Sequence, residues 1–387
     1  MTRLRIGIDC RYVRIGRHDG ISRFTAGVVS HLPDRHDYTL LVHDERQLES
    51  LPAGIPWELL PAPTEPGEPL LARRVNGLGL DAVFSPMQTM GSRGRRYALV
   101  LTLHDLIYYW NRTPPREFSW PIRLGWRAFH LSWAPQRLLL NGADGVVTVS
   151  ETTAGLIAEH HLTKRPVTVA VNAADPAERR PEGAARERSL VYMGSFMPYK
   201  NVETLAAALP LLGPDWTLRC MSRVSDADRA RLERLAPAGA IVFHDGASDD
   251  EYLFVLRSAT ALATASYDEG FGIPLVEAMG VGTPVVVSDI PIFREIGGDA
   301  AEYFDPSSPS AVAAAVRRLE ARWESASSDS VAQAARFRWE DSAEQVVRAV
   351  ERAVADRAER TGRGRSRERQ PRQPRQPRQP RQPRQPR

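Results

Sequence analysis

Two glutamates eight positions apart frame the most chemically suggestive stretch of the chain. It reads Ser266-Tyr267-Asp268-Glu269-Gly270-Phe271-Gly272-Ile273-Pro274-Leu275-Val276-Glu277-Ala278-Met279-Gly280. Upstream, Ala259-Thr260-Ala261-Leu262-Ala263-Thr264 is short and apolar, as a strand buried on both faces would be. Gly270 and Gly272 bracket an aromatic and remove the Cβ atoms that would hold a ligand away from the backbone. Pro274 suits the first turn of a helix, where its missing N–H is no loss. A strand, a glycine turn and a helix start together present unpaired N–H groups to a phosphate or other anion. Glu269, ahead of the helix, and Glu277, inside it, then face different parts of an extended ligand. The same residues also fit a plain loop with a solvated Glu269 and a Glu277 favoured by the helix dipole.

Two further places carry chemistry of this kind. The run Ala98–Leu103 ends in His104-Asp105, a polar pair beyond the carboxyl end of a buried strand, where open sheets place ligand groups. Lys200, in Pro198-Tyr199-Lys200-Asn201, stands out by count: of 51 basic residues only Lys164 and Lys200 are lysine. A chain so committed to arginine that keeps lysine here has use for a compact ammonium in place of a planar fork. Near the start, Gly16-Arg17-His18-Asp19-Gly20-Ile21-Ser22-Arg23-Phe24 leads by its glycines into a helix. It reads either as a second set of backbone donors at a cleft or as a structural loop.

The elements that must position these groups alternate between strand and helix, the pattern of a parallel α/β fold. Strands are expected at 3–8, 38–42, 81–84, 98–103, 145–149 and 167–171. Residues 172–188 lack an apolar period and read as a linker. Strands resume at 190–193, 216–221, 241–243, 260–264 and 284–287, with helices at 249–257, 273–280, 311–322 and 340–352. At 387 residues the chain exceeds one ordinary core, so two domains are expected, 1–172 and 189–338.

The net charge of +4 is unevenly spread. Residues 361–387 hold ten of the basic and one of the acidic residues, leaving 41 basic against 46 acidic in the body. The tail closes on six copies of Gln-Pro-Arg over 370–387. Proline at every third position and no apolar side chain exclude a packed core, so 359–387 is expected to be disordered. Such a basic tail suits an anionic membrane surface, or is a solvated appendage; no specific nucleic acid partner is expected. No run of 18 apolar residues occurs, so no spanning helix is expected. The start of the chain shows no signal-peptide pattern, and two cysteines without metal spacing, Cys10 and Cys220, fit a reducing cytoplasm. Residues 108–137 interleave Tyr108, Tyr109, Trp110, Phe118, Trp120, Trp126, Phe129 and Trp133 with Arg112, Arg116, Arg123, Arg127 and Arg137. They read either as a helix packed by its aromatic side or as a face for the water–headgroup boundary.

The segment from Glu269 to Glu277 resembles the E-x7-E signature of family 4 retaining glycosyltransferases, and Gly282-Thr283-Pro284-Val285-Val286-Val287-Ser288-Asp289 resembles the strand that follows it there. Similarity extends more thinly over 3–350. The resemblance implies the glycosyltransferase-B fold: two Rossmann-like domains facing across a cleft, with a final helix (339–358) crossing back to the first domain. It implies an acceptor on the first domain and a nucleotide-diphosphate sugar on the second, with no cofactor and no required metal. On the metal, the sequence is read as agreeing, by lacking an Asp-x-Asp cluster for a diphosphate-bound cation, so that Lys200 and helix dipoles neutralise the leaving group. Residue by residue, Lys200 would contact the donor diphosphate and Glu269 the sugar hydroxyls, with Gly270 in the donor-binding turn and the N–H groups of Phe271, Gly272 and Ile273 beside the sugar. Glu277 would hold the ribose, His104 would touch the sugar from the other wall, and Gly20, Ser22 and Arg23 would lie near acceptor or phosphate. Gly194 and Ser195 would border the donor. The family's companion arginine is missing here, Ser195 and Tyr199 occupying its usual places, so either Lys200 and helix ends suffice or Arg223 supplies the charge. Relatives with Met-Gly-Ser…Pro-x-Lys-Asn are often mannosyltransferases, which favours a mannose donor and a glycan or lipid-linked acceptor. Two alternatives keep less of the resemblance: an epimerase or phosphorylase of the same fold, and a binding module tethered by its tail.

Overall fold

Short runs of valine, leucine and alanine form strands here because both of their faces are covered. In a computed structural model the described residues are 2–16, 19–63, 65–114, 120–181 and 183–368, with the backbone path alone over 361–368. Arg17, His18, Arg116, Phe118 and the Gln-Pro-Arg repeats lie outside them.

The first sheet comprises β1 (Arg5–Asp9), β2 (Asp37–Val42), β3 (Trp57–Leu59), β4 (Ala82–Ser85), β5 (Ala98–Leu103), β6 (Gly145–Thr148) and β7 (Val167–Val169), in the order β3-β2-β1-β4-β5-β6-β7. The second comprises β8 (Ser189–Tyr192), β9 (Thr217–Cys220), β10 (Ile241–Phe243), β11 (Ala261–Thr264), β12 (Val285–Ser288) and β13 (Glu302–Phe304), in the order β10-β9-β8-β11-β12-β13. All pairings are parallel, with Ile6 set between Tyr38 and Ala82, and Leu262 between Val191 and Val285. Parallel strands need helical crossovers that cover the sheet, and β4, β5, β6, β8, β11 and β12 are buried at every position. Strand order reverses between β1 and β4 and again between β8 and β11. Chain segments leaving the carboxyl ends at such a reversal diverge and open a crevice.

The two-domain α/β architecture is the expected one. The edge strands β3 and β13 were not anticipated: each has three residues, too short for a periodic signal. The helices Val202–Leu212 and Trp323–Ala334 are likewise additions, whereas the helix Trp120–Phe129 falls in the aromatic segment for which a helix was one of the two readings. The helix Trp339–Glu368 leaves the second domain and packs on β4, β5, β6, β7 and the helix Gly20–Ser30 of the first. Val346, Val350 and Ala353 are buried there. Gly27 makes room for it, since a Cβ at that position would stand 2.4 Å from the Trp339 indole. The Trp339 indole N–H donates to Asp175 in the linker at 3.0 Å. This helix continues through 359–368, where the sequence predicts the start of a disordered tail.

A second tie between the domains is a cap. Glu295, in the helix Pro291–Gly297, accepts from Glu151 N, Thr152 N and Thr152 Oγ1 at 2.8, 2.8 and 2.6 Å. Three donors at the start of the helix Glu151–Glu159 are thus satisfied from the other domain, beside the internal cap that Ser150 gives Thr153.

Candidate active site

Glu269 leaves the carboxyl end of β11 and Lys200 sits in the turn after β8, so the strand-order reversal of the second sheet brings them together. The Lys200 ammonium donates to Glu269 Oε1 at 2.5 Å, and Ser266 Oγ donates to the same oxygen at 2.8 Å. Two ties set the distance between the loops. Tyr267 N donates to the Tyr199 carbonyl at 2.8 Å. Asn201, in the left-handed region at φ 49°, donates from its amide to the Ala265 and Pro306 carbonyls at 3.1 and 2.7 Å. Gly272 adopts φ 100°, which a side chain would resist, and begins the helix Ile273–Gly280 at the cleft.

The opposite wall belongs to the first domain. His104 Nε2 donates to the Pro86 carbonyl at 2.7 Å, which fixes the tautomer and leaves Nδ1 as an acceptor. Burial lowers its pKa, so the ring is neutral near pH 7. Asp105 Oδ1 accepts from Ile107 N at 3.0 Å, yet burial pushes this carboxyl up to about 6. Asp268, across the cleft, is raised to about 6 by burial and then by Asp105 itself. The walls meet at Gly270, where an added Cβ would lie 2.9 Å from the His104 carbonyl and 3.0 Å from Asp105 Cβ. Ser150 Oγ donates to the Gly270 carbonyl at 3.2 Å.

Of the residues singled out in the sequence, Gly20, His104, Ser195, Lys200, Glu269, Gly270, Phe271, Gly272 and Ile273 line this one cleft. Glu277 lies in a neighbouring cavity with Arg23, Asp175, Arg179 and Tyr252. It is buried and paired with the Arg23 guanidinium, which also reaches Asp249 at 3.0 Å. Burial still raises the Glu277 pKa, although Arg23 opposes it. Arg23 thus meets Glu277 and stands apart from Gly20 and Ser22. Ser22 is buried: its hydroxyl donates to Asp19 at 2.9 Å, and Asp19 also caps the helix Gly20–Ser30 through Ser22 N. Gly194 sits behind the lining residues Met193 and Ser195, its N–H donated to Ser222 Oγ at 3.1 Å. Arg223 is exposed and folded over Gly246.

Asp19, Asp105, Tyr108 and Tyr199 also line the cleft and carry no expected role from sequence. Asp105 was legible as half of the polar pair after β5; Asp19, Tyr108 and Tyr199 stand in stretches noted for other features, with nothing local to mark them as cleft residues. One reading needs correction, because an Asp-x-Asp spacing does occur, at Asp226-Ala227-Asp228. It belongs to the first turn of the helix Asp226–Glu233, where Asp228 accepts from Ser225 Oγ at 2.6 Å and pairs with Arg231 at 3.0 Å. Among the described residues no group of three His, Cys, Asp or Glu is arranged to hold a metal ion.

Two family models meet end to end on this chain. Residues 18–178 match Glycosyltransferase Family 4, and residues 175–338 match Glycosyl transferases group 1. The chain belongs to the family 4-like glycosyltransferases. The O-antigen chain mannosyltransferase RfbU of Salmonella typhimurium is 28% identical to this glycosyltransferase over 182 residues, 45% of the chain and 50% of that protein. The O-antigen chain mannosyltransferase B of Escherichia coli is 30% identical over 169 residues, 41% of the chain and 44% of that protein. The matched stretch thus spans about half the length of these relatives. The Anabaena HepE structure in complex with UDP-glucose superimposes with a TM-score of 0.68 at 19% identity, covering 90% of this glycosyltransferase and 100% of that chain. The shared fold is the glycosyltransferase-B arrangement of two facing Rossmann-like domains.

Proposed function

We propose that the enzyme moves mannose from a nucleotide-diphosphate sugar to a glycan or lipid-linked acceptor, retaining the anomeric configuration and requiring no metal. The observation that carries this reading is the Lys200–Glu269 pair at the strand-order reversal of the second sheet, facing His104 across the cleft. The donor diphosphate draws the Lys200 ammonium to itself, and Glu269, released, accepts from the sugar hydroxyls. The N–H groups of Phe271 to Ile273 border the same sugar. Neutral His104 offers Nδ1 to a sugar hydroxyl from the other wall, and Glu277 holds the ribose once Arg23 yields.

In the transfer step the bond from C1 to the phosphate oxygen breaks. The acceptor oxygen bonds to C1 from the same face, and its proton passes to the departing phosphate. Lys200 and the start of the helix Ile273–Gly280 stabilise the charge that builds on that phosphate. Mannose is favoured by the mannosyltransferases among the relatives. Among the described residues no helix is long and apolar enough to cross a membrane, so we place the enzyme peripherally on the cytoplasmic face when its acceptor is lipid-linked.

A panel of nucleotide sugars scored by ligand-induced shift in melting temperature tests the reading. GDP-mannose should give the largest shift, with EDTA present or absent. A larger shift with a UDP-sugar replaces the donor, and no shift with any nucleotide sugar removes the transferase reading.

A further inference from the structure

Beside the cleft lies a smaller cavity built wholly from the first domain. Ile21, His104, Asp105 and Tyr108 border both, so the two share a wall next to the proposed reacting centre. The far side holds Tyr109, His130 and Gln136. Gln136 is 1% exposed, and neither its amide oxygen nor its amide nitrogen has a partner among the described residues. The Tyr109 hydroxyl is buried and unpartnered in the same way. A buried amide and a buried phenol left unpaired are costly, and native proteins rarely keep them without a use.

Their chemistry narrows what fits. The amide offers two donors and an acceptor, and the phenol one of each. His130 Nδ1 donates to the Trp126 carbonyl at 2.8 Å, so its neutral ring keeps Nε2 as an acceptor. Tyr109 is held flat by stacking on Trp133, centroids 3.8 Å apart, and Tyr108 adds a second ring to the lining. No arginine or lysine is among the lining residues, which disfavours a phosphate, and a lipid chain would leave the amide unpaired. A ring bearing hydroxyls that both donate and accept, with apolar C–H faces to lay on aromatics, satisfies every group present.

We propose that this cavity is the subsite for an uncharged pyranose unit of the acceptor, with Gln136 and Tyr109 as specificity-determining residues. The proposal rests on the transferase reading and says which end of the acceptor the enzyme holds. A pyranose seated here would direct one hydroxyl past Asp105 and His104 toward the cleft.

The test uses full-length protein saturated with GDP, and methyl pyranosides of mannose, glucose, galactose and N-acetylglucosamine as probes in saturation-transfer NMR. At least one should bind. Gln136→Met, which keeps length and volume, should weaken that binding ten-fold or more, and Tyr109→Phe several-fold, with GDP affinity unchanged in both. Should Gln136→Met not fold, Tyr109→Phe alone carries the comparison, as it removes a single oxygen. Binding of no pyranoside, or equal binding by wild type and both variants, overturns the proposal. If GDP and nucleotide sugars bind while pyranosides do not, this subsite fails and the transferase reading stands; if nucleotide sugars fail to bind, that reading falls first.

Discussion

Lys200 and Glu269 occupy each other at 2.5 Å while each side chain is less than one-fifth exposed. An arriving diphosphate therefore competes with a carboxylate for one ammonium. Replacing Lys200 with Met keeps the stem and removes the charge, and charge-assisted contacts contribute roughly 1.5–3 kcal/mol. Calorimetry should show nucleoside-diphosphate affinity lower by ten-fold or more; unchanged affinity would remove Lys200 from the site. The two glutamates should separate in the same assay. Glu269→Gln frees Lys200, so diphosphate affinity should stay at or above wild type while turnover falls at least ten-fold. Glu277→Gln alters the ribose contact and should weaken free diphosphate binding several-fold. Equal loss of affinity in both variants contradicts the division of roles. The glutamates, the lysine and His104 were legible in the sequence because their types and offsets from strand ends are local facts. The Arg23–Glu277 pair was not, since the two are 254 positions apart and meet only when the domains do.

Strand ends and the loops between them decide how the walls meet. Most strands were readable as apolar runs buried on both faces, and the helix Ile273–Gly280 was readable from its glycines and proline. The short edge strands lack such runs, and the helix Trp120–Phe129, which has no buried residue, lacks a core-facing stripe. The loop after β5 and the loop after β11 set Asp105 against Asp268, each with a pKa of about 6. The unfolded value is about 3.9. Both carboxyls bind protons more readily folded than unfolded, so these two groups make stability fall as pH rises from about 4 to about 6. An Asp105→Asn, Asp268→Asn double variant keeps the hydrogen bond from Ile107 N and removes two charges that burial disfavours. Its melting temperature should exceed that of wild type by a few degrees at pH 7.5, and the gain should shrink as pH falls below about 6 and vanish by about pH 3. A gain independent of pH would mean that ionising these two carboxyls carries no cost in the folded protein.

Whole-molecule behaviour turns on one face of the first domain and on how the chain is threaded. The aromatic segment is partly packed and partly exposed. Trp126 packs on Tyr108 at 5.0 Å and Trp133 on Tyr109, whereas Trp120 is 75% exposed, with Ile122, Leu124, Leu131 and Leu138 also exposed. With Arg123 and Arg127 alongside, this surface suits anionic headgroups, each basic residue adding about 1 kcal/mol at low salt. The Gln-Pro-Arg segment adds a second basic element, so vesicle binding should need both and weaken steeply as salt rises. Co-sedimentation of wild type, a chain ending at Glu368, and Trp120→Ala measures this. Equal partitioning of all three, or none at low salt, rules out membrane contact through these parts. The threading has another consequence, in the order of synthesis. The helix from Trp339 fills the groove over β4 to β7, so Val346, Val350 and Ala353 reach the first domain after the whole second domain has been made. At roughly 5–20 residues per second, strands β4 to β7 wait on the order of ten to fifty seconds on the ribosome with that flank uncovered. The domain that begins first is finished last, and nascent chains stalled before Trp339 should be bound by chaperones along β4 to β7.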